Sequence, residues 1–286
     1  MFARATALAL SSHPGPTVAV TALSAVLGVA VGMSPLRVAV LALAIVAGQL
    51  SIGWSNDWID AQRDRAVGRT DKPVAQGLVT VGTVRTAAII AVALSMAISF
   101  ALGLWAGVAH LVLVASGWAY NAGLKRTAWS VVPFIVSFGL LPTVVTLALP
   151  EPAVAAPWAI AVGAVFGISI HFTNVLPDLA DDARTGVVGL PHRLGRVASG
   201  IVAFLALAVA AVLVLVGPWV SDALAGAAAT PSPVAIGGLV ASLAIAAWGI
   251  ALVVSRPPSR LLFQLIIVAS LLIAVQLGLG GTRLIS

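Results

Sequence analysis

The sequence predicts an all-α, polytopic membrane protein with a bundle of about nine transmembrane helices. Three observations carry this. Of 286 residues, 60% are hydrophobic and only 8% are charged, where a soluble domain runs nearer a quarter charged. Apolar runs of roughly 20 residues, enough for one span each, recur along the whole chain. Strand-like alternation is absent, so helices are the form that satisfies the backbone in lipid.

The runs lie near 17–33, 36–55, 82–103, 105–121, 129–149, 157–177, 197–217, 234–254 and 261–280. Their breaks carry proline, glycine or charge. Pro35 parts the first two runs, and an acidic and basic stretch with Pro73 parts the second from the third. Tyr120 to Arg126 follows the fourth, and Pro150–Pro152 follows the fifth. A second acidic stretch with Pro191 ends the sixth, Pro231–Pro233 the seventh and Pro257-Pro258 the eighth. No polar stretch is long enough for a detached soluble domain, so one membrane domain over 1–286 is expected. The amino terminus lacks the pattern of a cleavable leader, and the first run reads as a retained span.

The net charge is +6. The basic residues sit in short loops between apolar runs, which is a topology signal, and they do not call for nucleic acid. With nine spans and the amino terminus inside, thirteen Lys and Arg residues fall on the inner side; only Arg37 and Arg283 fall outside. That asymmetry predicts a multi-pass cell-membrane protein with its amino terminus in the cytoplasm. Seven tryptophans, among them Trp54, Trp58 and Trp158, fall near run ends, as an interfacial belt would. Cysteine is absent, which excludes disulfides and thiolate chemistry.

Two acidic clusters interrupt the apolar chain with a shared spacing. The first holds Asn56, Asp57, Asp60 and Asp64; the second holds Asn174, Asp178, Asp181 and Asp182. Asn56/Asn174, Asp60/Asp178, Asp64/Asp182, Gly68/Gly186 and Gly77/Gly195 coincide at an offset of 118 residues. Seven of the nine acids lie in or beside these clusters. The match predicts a pseudo-repeat of helices 1–4 and 5–8, with both clusters at cytoplasmic helix ends. Positions i, i+4 and i+8 share one helical face, where like charges repel unless a cation lies between them. Magnesium suits such oxygen ligands and is commonly shared with substrate phosphates. Solvated loop charge is the plain alternative, and two matched copies argue against it. Ion transport is another, but the acids lie at helix ends, away from mid-span.

Arg69, Lys72 and Lys125 are the cations placed to neutralise a diphosphate. Tyr120, the single tyrosine, stands at a helix end as a belt residue or a substrate contact. His171 shares the face of Asn174 and Asp178, and as a lone helical histidine it reads first as a packed one.

The stretch NDWIDAQRDRAVGRTDKPVAQG resembles the first aspartate motif of the UbiA-type intramembrane prenyltransferases. NVLPDLADDARTGVVGLPHRLG resembles their second, and YNAGLKR their Tyr-to-Lys/Arg segment. The resemblance implies a magnesium-dependent transfer of a polyprenyl group from a polyprenyl diphosphate to a small-molecule acceptor, aromatic or quinone-precursor-like, within membrane lipid. It implies that Asp60, Asp64, Asp178 and Asp182 are catalytic. With Asn56 they would also be metal ligands. Asn174 would bind the substrate, and Asp57 and Asp181 would orient the ligands or pair with basic groups. Two departures stand out: Lys72-Pro73 replaces a common Arg-Pro, and Asn121-Ala122-Gly123 precedes Lys125. A membrane terpene cyclase, quenching the same allylic cation internally, and a cation or small-molecule transporter are the competing functions.

Overall fold

The computed structural model describes residues 2–224, 226, 232–257 and 259–285. Pro231 and Pro258, expected as loop breaks, lie outside the described residues. Twelve α-helices are present among the described residues: α1 (Phe2–Leu10), α2 (Pro14–Ala30), α3 (Pro35–Ala66), α4 (Val81–Leu102), α5 (Leu104–Ala122), α6 (Val132–Leu147), α7 (Pro157–Val175), α8 (Leu179–Arg184), α9 (Leu190–Leu194), α10 (Arg196–Leu224), α11 (Pro233–Ser255) and α12 (Arg260–Gly280). The nine longest correspond to the nine apolar runs. Among the described residues, six helical segments are long and apolar enough to span by themselves, or seven if the bent pair α1–α2 counts as one. The expected count of nine spans is thus not reached by length and hydropathy alone. α6 is short at 16 residues, and α5 carries His110, Tyr120 and Asn121 within it.

The long helices pack in a ring. α2 lies on α3, α3 on α4, and the sequence continues through α5, α6, α7, α10 and α11 to α12, which closes back on α2. One large apolar core fills the ring, with Leu41, Ile45, Leu113, Phe204, Leu207 and Ile266 among its buried members. Glycine sets the closest approaches. A Cβ at Gly163 or Gly167 on α7 would run into the carbonyls of Phe138 and Phe134 on α6. This small-xxx-small spacing lets the two backbones touch.

Boundaries shift where tertiary contacts outweigh the apolar pattern. α3 does not stop at 55; it continues to Ala66 and carries the whole first acidic cluster. Pro177, which has no amide to donate, ends α7, and a 3-10 turn over Leu176–Asp178 leads into α8. Trp158, expected in an interfacial belt, is instead 8% exposed and packed against Gly217, where the absent side chain makes room for the indole.

The end of the bundle opposite the acidic clusters is tied by its two basic residues. Arg37 donates to the carbonyls of Leu102 (2.6 Å) and Ala148 at the exits of α4 and α6. Arg283 pairs with Asp222 at 3.1 Å.

Candidate functional site

The first acidic cluster sits on the last turns of α3. Asp57, Asp60 and Asp64 are almost wholly buried, at 1%, 1% and 2% exposure. A buried carboxylate must be paired, and each of these is. The Lys125 ammonium, in a 3-10 turn after α5, donates to both oxygens of Asp60 at 2.6 and 2.5 Å. Burial pushes Lys125 below the usual lysine range, and Asp60 opposes that shift.

Arg63 is the junction between the clusters. Its Nη2 donates to Asp60 (3.1 Å) and Asp64 (3.3 Å), and its Nη1 lies 3.5 Å from Asp182 on α8. One guanidinium therefore faces three carboxylates from two motifs that are 118 residues apart in sequence. Arg69 makes a second link, between Asp71 (2.8 Å) and Asp178 (3.4 Å). The Arg69 guanidinium holds the Asp71 carboxyl down at about 2.

Asp57 has partners of its own within this centre. Lys72 Nζ lies 2.6 Å from its Oδ1, 2.9 Å from His13 Nε2 and 3.2 Å from Asn56 Oδ1. His13 itself lies 3.0 Å from Asp57 Oδ1. Asn56 passes the connection on, donating to Asp60 (3.3 Å) and to Asn121 Oδ1 (3.1 Å). Asn121 in turn donates to Ser55 and to the Ile52 carbonyl.

The two motifs end alike. Gly68 and Gly186 both adopt the left-handed conformation, with φ of 68° and 76°. The next amide returns to the same aspartate position in each: Arg69 N–H to the Asp64 carbonyl at 3.0 Å, and Val187 N–H to the Asp182 carbonyl at 2.9 Å. Such a helix terminator favours glycine because a Cβ is strained there.

Below the first cluster lies an apolar cavity lined by Gln49, Ile52, Tyr120, Phe134 and Phe138 among others. Ile52 is one helical turn before Asn56, and Tyr120 directly precedes Asn121, so the cavity begins where the polar network ends. The Tyr120 ring stands edge-on to Phe134 and His171, at centroid distances of 5.1 and 5.8 Å.

A family model described as the UbiA prenyltransferase family matches residues 17–268. The chain belongs to that family. Among curated relatives, the 33 kDa chain of bacteriochlorophyll synthase from Cereibacter sphaeroides is 29% identical over 182 residues, 60% of each chain. The match thus spans about three fifths of that relative's length. A UbiA homologue from Archaeoglobus fulgidus, solved with GPP and Mg2+, superposes with a TM-score of 0.72 at 13% identity, over 96% of this chain and 99% of that one. An apo UbiA homologue from Aeropyrum pernix K1 gives 0.70 at 17% identity, over 91% and 96%. At these identities the superpositions establish the UbiA fold.

Within this UbiA chain, the expected residues fall into groups. Asn56, Asp57, Asp60, Asp64, Lys72, Lys125 and Asp182 form one polar centre, which Arg69 and Asp178 join from the side. Asp181 pairs with Arg184 and is 43% exposed. Asn174 is exposed, and its side chain makes no hydrogen bond among the described residues. His171 donates to or accepts from Ser130 Oγ at 3.0 Å, and that oxygen also accepts from the Leu190 amide. It ties α7 to the neighbouring loops, which is the packed role.

Three participants were not singled out from sequence. Arg63 was one cation among several near the motif; only its helical phase, one turn after Asp60 and facing α8, distinguishes it. Asn121 had a weak signal, a polar residue at the end of an apolar run. His13 had none, being a lone histidine before a proline.

Proposed function

We propose that this UbiA-family protein transfers a prenyl group from a prenyl diphosphate to a small-molecule acceptor at the cytoplasmic face of the membrane. The observation that carries the reading is the meeting of two carboxylate motifs around Arg63, directly above an apolar cavity. A diphosphate ester is polar at one end and apolar at the other, and this arrangement matches both ends.

The donor set fits magnesium. Its members are oxygen donors, and Asp60, Asp64 and Asp182 converge from α3 and α8 on one cation, Arg63. Among the described residues no three acidic or histidine side chains stand together at ligand spacing, and Arg63 and Lys125 are the cations that pair with these acids. Asp60, Asp64, Asp178 and Asp182, with Asn56, would hold the ion. Bound there, magnesium would supply positive charge to the diphosphate oxygens.

The chain's own residues do the rest. Lys72, Lys125 and Arg69 neutralise the diphosphate as it departs, and fixed charges in a water-poor site are worth most at that moment. The allylic C–O bond breaks and its electron pair leaves with the diphosphate. The Tyr120 and Phe134 rings line the cavity and stabilise the resulting cation with their π-electrons. An acceptor carbon or oxygen then forms the new bond and loses a proton. An aromatic or quinone-precursor-like acceptor has the required nucleophilic carbon.

The test is a mass-spectrometric product screen of purified protein with magnesium, prenyl diphosphates of several lengths and a panel of acceptors. A prenylated acceptor and stoichiometric diphosphate are expected. A cyclic hydrocarbon formed without acceptor would replace transfer by cyclisation, and ion flux in proteoliposomes without diphosphate release would replace both.

A further inference from the structure

A second, smaller cavity lies beyond the first, lined by Leu23, Leu27, Pro142, Val162, Ser270 and others. Phe138 and Leu141 line both cavities. The two voids follow one another along the bundle. On α6 the lining passes from Phe134 through Phe138 and Leu141 to Pro142, one face of the helix. On α2 it passes from Val20 to Leu23 and Leu27, also away from the acidic centre. The voids are thus neighbours along the bundle, and two side chains of α6 stand against both.

We propose that Phe138 and Leu141 form a partition that sets how long a prenyl chain this protein accepts. The proposal rests on the prenyl diphosphate reading above. With the diphosphate at the acidic centre, the chain enters the upper cavity past Ile52 and Tyr120 and meets the partition end-on. The partition is rigidly seated. The backbone of Phe138 is pressed against α7 where Gly163 and Gly167 leave no side chain. Its ring stands edge-on to Phe166 at 6.4 Å. Leu141 is 2% exposed. A chain that stops short of these residues fits the path as it stands. A longer one must displace a close-packed wall or leave the bundle sideways into lipid.

The experiment measures binding of geranyl, farnesyl, geranylgeranyl and longer diphosphates by calorimetry with magnesium, alongside diphosphate release for each length. In the unmodified protein, affinity and turnover should fall beyond one chain length. Phe138→Ala and Leu141→Ala should each open the path and move that fall to longer chains. A gain of about tenfold or more for the longest donors relative to geranyl is expected, the scale set by a few methylenes in an apolar pocket. Filling the lower cavity in the Phe138→Ala background with Ser270→Phe should move the fall back.

Should removal of the ring prevent folding, Leu141→Ala, which deletes less volume from the same face, carries the test. Length profiles that are flat, or identical in the unmodified protein and both variants, would sink the partition and leave the prenyl diphosphate reading intact. Failure of the unmodified protein to bind any prenyl diphosphate would overturn both.

Discussion

Lys125 holds both carboxylate oxygens of Asp60, at 2.6 and 2.5 Å, with both residues buried. The pair spans 65 residues and fastens the loop after α5 to the end of α3. Removing one partner strands the other's charge in a low-dielectric environment, whereas removing both does not. Lys125→Met and Asp60→Asn should each lower stability by about 3 kcal/mol, and the double variant should recover part of the loss. Thermal unfolding in detergent across the four proteins measures the coupling; additive losses would show that the pair is not acting as a unit.

Asp178 and Asp181 are close in sequence but differently placed. Asp178 matches the first motif's Asp60 and reaches across to Arg69 at 3.4 Å. Asp181 pairs only locally, with Arg184 on its own short helix. Asp178→Ala should cut diphosphate release by on the order of 100-fold or more while leaving the melting temperature nearly unchanged. Asp181→Ala should cost tenfold at most. Turnover in Asp178→Ala equal to that in Asp181→Ala would end the argument from matched spacing.

Arg63 faces Asp60, Asp64 and Asp182 as a resident cation. Arg63→Gln keeps a polar side chain but leaves the three acids to repel one another. The variant should melt lower than the parent and respond more strongly to magnesium, because a ligand that binds only the folded state stabilises in proportion to its occupancy. The readout is melting temperature against magnesium concentration, with no substrate present. Parallel curves for the two proteins would show that Arg63 and the ion do not share a position.

Orientation can be read with single cysteines, since the chain has none of its own. Thr70 and Arg184 are exposed beside the two motifs, and Leu36, 77% exposed, begins α3 at the other end. In intact cells, an impermeant maleimide should label Leu36→Cys and spare Thr70→Cys and Arg184→Cys. The reverse pattern would invert the bundle.

The helical membrane class was legible because composition and run length leave lipid no other solution, and the family because both aspartate motifs stand intact in the chain. The matched glycines were legible too: Gly68 and Gly186 end their helices with the same left-handed turn. What the residues alone did not reveal was partnership. Asp57 and Asp60 are three positions apart on one helix, yet they face different cations, Lys72 and Lys125. Helical phase alone does not say which distant loop arrives on which side. Nor could Trp158 be distinguished from a belt residue until Gly217 was seen to make space for it. The short helices α1, α8 and α9 escaped because they are too brief for a periodic pattern to register.

The amino-terminal elbow supplies the last prediction. His13 joins α1 to α2 in the left-handed conformation, with φ of 55°, the one non-glycine residue so placed among those described. Such backbone strain persists only where the surroundings hold it. They do: Trp54 Nε1 donates to the Leu8 carbonyl at 2.8 Å, and Gly53 lies so close to Ser12 that a Cβ would strike its carbonyl. This seating puts the imidazole on Asp57 and Lys72. Gly53→Ala should therefore push the elbow off α3 and reproduce the effect of His13→Ala without touching a charged group. Both should weaken diphosphate binding, seen as a raised KM with kcat little changed, because Lys72 loses its fixed position. His13→Asn, which tolerates the left-handed turn and keeps a hydrogen-bonding side chain, should restore most of the affinity. If Gly53→Ala binds diphosphate as well as the parent while His13→Ala does not, the imidazole acts by itself and the elbow is only its tether.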